Sequence, residues 1–231
     1  MVDDMIVEKA KEHFGKLVKE QLERVEVMKR AQGWTDYSKK ERIVIGIVWG
    51  DGIGPYICQH AQRVLEFLLA DQIASGRVEL RVIEGLTIEN RVKLLMPIPP
   101  DILLKLKACD VILKAPTTTP KKGDPWPNIE SANITMRREL DLFANVRPVR
   151  IPSLGIDWMF FRENTEGAYI LGSRGINVTD DLAFDFCVAT SQGSERIIRL
   201  AFEHAQKNGI DKVTVVTKAN VIKASDGKFL A

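Results

Sequence analysis

Cysteine is scarce in this 231-residue chain, and long apolar runs are missing altogether. The three cysteines, Cys58, Cys109 and Cys187, are widely separated and odd in number, so neither a disulfide framework nor a zinc pattern is implied. Reduced, buried thiols in a cytoplasmic protein are the expectation. No apolar stretch approaches the roughly 20 residues of a membrane-spanning helix. The first residues are acidic and no early apolar run follows, so no secretion signal is read. The glycosylation-type triplets at Asn133 and Asn177 therefore carry no weight. An excess of one charge is also lacking. The formal net charge is +2, which removes the global signature of a nucleic-acid binder and leaves recognition to local clusters. Histidine offers no metal set: His13, His60 and His204 fall on expected helices without ligand spacing and read as surface or core residues.

Apolar residues are plentiful, at 45% of the chain, enough for a sizeable core. Residues 1–31 read as one amphipathic helix, with Ile6, Ala10, Phe14, Leu17, Leu22, Val25 and Met28 at helical spacing. Acids and bases alternate on its polar face, which favours packing on the protein or on a partner over a membrane surface. After Gly33–Lys40 the pattern turns α/β. Strands are expected at Ile43–Trp49, Val78–Ile83 and Cys109–Leu113, with helices between them, one opened by Pro99-Pro100. Such alternation argues for a largely parallel sheet with flanking helices. Further along, a helix is expected over Asn133–Leu140, strands at Asp141–Val149 and Ile156–Phe161, and a hairpin within Tyr169–Asp185. A helix over Ser194–Lys207 and a buried strand at Val213–Val216 complete the reading. The expected domains are an extension over 1–40, part of a large α/β domain over 41–138, and part of a small domain with a dimerisation clasp over 139–231.

Gly50-Asp-Gly-Ile-Gly-Pro55 has strand-turn-helix context, but its spacing is not that of a dinucleotide loop, and Pro55 removes an amide. A structural turn is the better reading. Lys114-Ala-Pro-Thr-Thr-Thr-Pro120 follows a strand, where open α/β sheets bind ligands; read alone, it is an ordinary loop. Ser131-Ala-Asn133-Ile-Thr-Met-Arg137 is more informative. Asn133 and Arg137 share a helix face, and Ser131 stands where a helix start is capped. Arg147 follows on the next strand, and Arg162 opens Arg162-Glu-Asn-Thr-Glu166. Guanidinium groups grip carboxylates through two hydrogen bonds, so this set suggests a polycarboxylate site. Arg138 and Arg150 read as ordinary surface arginines. Tyr169 and Lys218 are candidate proton carriers.

Seven motifs in order carry a resemblance: Gly50–Pro55, Lys114–Pro120, Ser131–Arg137, Leu142-Phe-Ala-Asn-Val-Arg-Pro148, Phe161-Arg-Glu-Asn-Thr-Glu-Gly167, Tyr169 and Thr217-Lys-Ala-Asn220. From about Arg42 onward the chain resembles the isocitrate and isopropylmalate dehydrogenase family. The resemblance implies that family's fold, which is not a Rossmann fold. It implies oxidative decarboxylation of isocitrate to 2-oxoglutarate, a tricarboxylic acid cycle reaction, using NAD or NADP and Mg2+ or Mn2+. Arg137, Arg147 and Arg162 would bind carboxylates. Ser131 and Asn133 would hydrogen-bond a third carboxylate, where isopropylmalate enzymes place leucines. Lys114, Thr117, Thr119 and Asn220 would meet the cofactor. Tyr169 would act as general acid, and Lys218, arriving from the neighbouring subunit of a homodimer, would help remove the hydroxyl proton. The alternatives are isopropylmalate or homoisocitrate as substrate, or a non-catalytic regulatory subunit on this scaffold. The family's metal-binding aspartates follow the lysine-asparagine motif beyond Ala231, so no metal ligand is assigned. The fold is expected to be incomplete at its C-terminus, and the 231 residues alone are expected to be inactive.

Overall fold

The computed structural model describes residues 4–30, 33, 35–121 and 123–231. Helix α1 spans Asp4–Arg30. Strand β1 (Ile43–Val48), helices α2 (Gly54–Leu68) and α3 (Ala70–Ala74) and strand β2 (Val78–Val82) follow. Then come α4 (Ile88–Leu94), α5 (Pro100–Lys107), β3 (Val111–Lys114) and α6 (Ala132–Glu139). The remainder holds β4 (Ala144–Ile151), β5 (Ile156–Glu163), β6 (Ile176–Thr179), β7 (Leu182–Phe184), α7 (Ser191–Lys207) and α8 (Ser225–Leu230). Two compact units result: Gly33–Leu140, and Asp141–Ala231 together with the N-terminal segment Met1–Gln32. Among the described residues no helix is long and apolar enough to cross a membrane.

In the Gly33–Leu140 unit, β1 lies between β2 and β3, and both pairings are parallel. A parallel sheet needs cover on both faces, and successive residues of β1 serve opposite faces. Val48 joins a core with Ile102 and Leu106 of α5 and Ala132 and Met136 of α6. Ile47 joins Cys58 of α2 and Ala115 on the other side. Gly46 is required at the centre, because a Cβ there would lie 2.8 Å from the Cys109 sulfur. This α/β layering matches the expected fold class.

In the other unit, β4 and β5 form an antiparallel ladder, and β6 and β7 a short hairpin. Leu17 of α1 packs with Ile170 and Leu171. The expected helix over 1–31 is observed over Asp4–Arg30, and residues 1–3 and 31 lie outside the described residues. Two expectations need correction. Val213–Val216 is not a strand and not buried: it pairs with no neighbour, and Val216 is 85% exposed. An apolar run becomes a strand only where a partner offers its backbone groups. The cysteines are also not uniformly buried; Cys58 is, whereas Cys187 is exposed.

Candidate functional site

The glycine-rich turn after β1 is built against the loop that follows β3. Gly50 has φ +69°, and a Cβ there would lie 2.0 Å from the Pro116 carbonyl oxygen. Only glycine tolerates both conditions. The Asp51 amide donates to that same carbonyl at 2.8 Å, and the Gly54 amide donates to the Asp51 carbonyl at 2.8 Å. Two of the turn's amides are thus spent within the protein, as suits a structural turn. Its carboxylate organises more. Asp51 Oδ1 accepts from the Ile88 amide and Oδ2 from the Thr118 amide, both at 2.7 Å. Arg91, fully buried, donates to the Thr118 carbonyl at 2.8 Å and to the Pro97 carbonyl at 3.0 Å. Its guanidinium stands 3.7 Å from Asp51. Thr118 is thus held by its N–H and its C=O at once. Sequence reasoning missed Asp51 and Arg91. Asp51 lay inside a motif already singled out, whereas Arg91 read as one more charge on a short helix.

Thr117 and Thr119, the candidate cofactor residues, flank this clamped position. Lys114 Nζ donates to the Ala115 carbonyl at 2.9 Å and to Thr117 Oγ1 at 3.0 Å. Thr117 Oγ1 donates to Asn133 Oδ1 at 3.4 Å, and Thr119 Oγ1 to Ser131 Oγ at 3.2 Å. The structure therefore joins the candidate cofactor loop to the candidate substrate residues at the start of α6. Burial above all, with the charges of Arg91 and Arg137 and against that of Asp51, lowers the Lys114 pKa from 10.5 to about 8. Three cations share this region with one carboxylate. Such a surplus of positive charge suits an anionic ligand.

Ser131 occupies the N-cap of α6 but makes no capping hydrogen bond from its side chain. The expected cap is corrected here: its hydroxyl meets Thr119 instead. Asn133 and Arg137 stand four apart on α6 as expected, and Arg138 is consumed by Glu130 at 3.3 Å.

In the Asp141–Ala231 unit, the β4–β5 register pairs Asn145 with Arg162 and Arg147 with Phe160. Residues directly opposite share a face, so Arg147 and Arg162 lie on the same side of the ladder, and Arg150 on the other. Asn145 Oδ1 accepts from Arg147 Nε at 2.8 Å, and Asn164 Oδ1 from Arg162 at 3.2 Å. Both arginines are exposed. The Arg162 guanidinium also lies 5.9 Å from the centre of the Tyr169 ring. Lys218 and Asn220 are exposed on the approach to α8, where the Lys218 amide donates to Asp226 at 2.7 Å. No hydrogen bond joins either side chain to Tyr169. Two carboxylates of the Arg162–Gly167 motif, the half-buried Glu163 and the buried Glu166, were also missed as individuals. Glu163 accepts from Thr165, and Glu166 from Thr190. Among the described residues, no three His, Cys, Asp or Glu side chains gather as a divalent-cation site.

Comparison with known proteins identifies the family. The family model described as isocitrate/isopropylmalate dehydrogenase matches residues 44–230. A homoisocitrate dehydrogenase of Methanocaldococcus jannaschii is 36% identical over 200 residues, covering 80% of this chain and 54% of that protein. A regulatory subunit of NAD isocitrate dehydrogenase from Arabidopsis thaliana is 34% identical over 192 residues, covering 80% and 47%. The crystal structure of isocitrate dehydrogenase from Methylococcus capsulatus superposes with a TM-score of 0.66 at 33% identity, covering 81% of this chain and 55% of that one. The chain thus spans about half the length of the curated relatives it matches. With the family model matched over most of its length, the chain belongs to the isocitrate/isopropylmalate dehydrogenase family.

Proposed function

We propose that this chain serves the oxidative decarboxylation of isocitrate to 2-oxoglutarate, with NAD or NADP as hydride acceptor. The observation that carries this reading is the polar start of α6, where Ser131 and Asn133 are tied to the threonines of the loop after β3. A site for an alkyl substituent needs apolar side chains there. In this reading Ser131 and Asn133 hydrogen-bond one carboxylate, and Arg137, Arg147 and Arg162 grip the others. Lys114, Thr117, Thr119 and Asn220 meet the cofactor. A bound nicotinamide supplies hydride acceptance. Lys218 takes the hydroxyl proton, acting across a homodimer interface, and Tyr169 returns a proton to the enolate carbon after carbon dioxide leaves. Magnesium or manganese belongs to the reading only through the family, since the described residues gather no donor set for it. In this reading the protein works in the cytoplasm.

Homoisocitrate is the second reading, favoured by the Methanocaldococcus jannaschii relative. It shares the third carboxylate and adds one methylene, which is worth about 1–3 kcal/mol in discrimination. Calorimetric titration with both acids decides between them: tighter binding of isocitrate supports the first, tighter binding of homoisocitrate the second.

Charge-assisted hydrogen bonds contribute about 1.5–3 kcal/mol each. Arg147→Gln and Arg162→Gln are therefore each expected to weaken isocitrate binding by roughly 10- to 200-fold. Arg150→Gln, on the opposite face and paired only with Asp157, is expected to leave it unchanged. An equal loss in all three variants contradicts the assignment of one face.

Lys114 makes the affinity for the anionic cofactor depend on pH. With a pKa of about 8, its charge is present below that value and lost above it. An anion binds the protonated form, so affinity is expected to fall as pH rises through about 8, by at most about tenfold per unit for a single proton. Lys114→Met should flatten this dependence. A wild-type affinity that is constant between pH 7 and 9 argues against a Lys114–anion contact.

A further inference from the structure

The family match begins at residue 44, yet α1 reaches into the most buried polar cluster of the Asp141–Ala231 unit. We propose that α1 is a working part of the candidate site, with Arg24 acting through Glu166 as a positioning residue for the loop that presents Arg162 and Tyr169. The proposal rests on the reading of Tyr169 as the proton carrier, and it adds a segment that the family model does not cover.

Glu166 is 5% exposed. Its carboxylate accepts from Arg24 Nη1 at 2.9 Å, from the Thr190 amide at 2.9 Å and from the Thr190 hydroxyl at 2.5 Å. Gly193 makes room for it, because a Cβ there would lie 2.3 Å from the carboxyl group. Three residues earlier, Glu163 is a second carboxylate, half-buried. Burial pushes its pKa up, against hydrogen bonds from Thr165 and the Glu166 amide. Thr165 Oγ1 donates to Glu163 at 2.8 Å and accepts from Arg24 at 3.2 Å and from Arg196 at 2.8 Å. Two carboxylates and two arginines therefore close around one threonine. Arg196 is already forked onto Asp141 at 2.7 and 3.0 Å, so it is poorly placed to replace Arg24.

Tyr169 is held between this cluster and a second α1 contact. Before it, Gly167 exchanges backbone bonds with Val188 at 2.7 and 3.1 Å. After it, Ile170 and Leu171 are buried against Leu17 of α1. His13 meets the Arg174 carbonyl at 3.0 Å, and Phe14 stacks on Phe186 at 5.1 Å between centroids. Tyr169 itself stays 49% exposed, next to Arg162. Its side chain is left open while the backbone on both sides is anchored to α1.

The test uses the full chain with carbon-13 in the tyrosine rings. Tyr37 and Tyr56 lie in the other unit and serve as internal controls. Arg24→Lys keeps the charge but loses the fork that reaches Glu166 and Thr165 together. Arg24→Gln removes the charge, and combining it with Glu166→Gln removes its buried partner as well. The expected result is a displaced or broadened Tyr169 signal in Arg24→Lys, a larger change in Arg24→Gln, and unmoved Tyr37 and Tyr56 signals. Amide exchange at Glu166, Gly167 and Thr190 should quicken at least about tenfold in Arg24→Gln, a loss of ~1.4 kcal/mol. A purely structural helix would lower the unfolding midpoint and leave the Tyr169 signal of the folded protein in place. That outcome in Arg24→Lys, or in the double variant should Arg24→Gln fail to fold, overturns the proposal. The readout needs no turnover. A displaced signal in a chain that does not bind isocitrate removes the functional reading and leaves the positioning intact; an unmoved signal with binding preserved removes the positioning alone.

Discussion

Asp51→Asn is expected to lower the stability of the Gly33–Leu140 unit by about 3–5 kcal/mol. Both oxygens of Asp51 are occupied by backbone amides, those of Ile88 and Thr118. Asparagine offers one acceptor and one NH2 group, so one amide would face a donor. The change also strips Arg91 of its counter-charge. Arg91 is fully buried, and burial already pulls its pKa down while Asp51 opposes this. An arginine cannot escape by losing its proton, so the uncompensated charge stays buried. Urea unfolding should show a lower midpoint with an unchanged slope. Arg91→Met is expected to be costly by itself and far less than additive with Asp51→Asn, because the two residues form one unit. A loss below about 1 kcal/mol in Asp51→Asn would mean that the pair is dispensable.

Replacing Ser131 and Asn133 together by leucine is expected to weaken isocitrate binding more than 100-fold, about 3 kcal/mol for two hydrogen bonds to a carboxylate. Stability should change little, since both side chains are only partly buried and their partners are loop threonines. A site built from hydrogen-bonding groups rejects a ligand without the matching group, because its own polar atoms are then left unpaired. Leucine reverses that preference by replacing two such groups with apolar surface. Weak binding of isocitrate should therefore come with improved binding of 3-isopropylmalate.

The parts of the fold governed by local pattern were legible in the sequence. The helical spacing of Ile6 to Met28 pointed to α1, and the apolar run Ile43–Trp49 with its glycine turn pointed to the central strand, observed over Ile43–Val48, and the helix after it. Val213–Val216 was misread because the same apolar composition serves a strand only when a neighbouring strand pairs with it, and pairing is a property of the whole sheet. At the site, residue types and order singled out Ser131 and Asn133 for a substrate and Thr117 and Thr119 for a cofactor, and the structure brings the two pairs into hydrogen-bond contact. The Ser131 hydroxyl was misassigned because a cap and a loop contact look alike in sequence. Arg91 and Arg24 were invisible as individuals. A buried arginine and an exposed one are the same letter, and what separates them is the carboxylate that each meets across 40 or more positions of chain: Asp51 for Arg91 and Glu166 for Arg24.

The central claim is that the polar start of α6 selects a tricarboxylate. Its most direct test is calorimetric titration of the chain and of the Ser131→Leu, Asn133→Leu variant with isocitrate and with 3-isopropylmalate, at pH 7. The account predicts that the unsubstituted chain binds isocitrate at least about 100-fold more tightly than 3-isopropylmalate, and that the variant loses or inverts this ratio. Equal binding of the two acids by the unsubstituted chain, or a ratio that survives both substitutions, would contradict it.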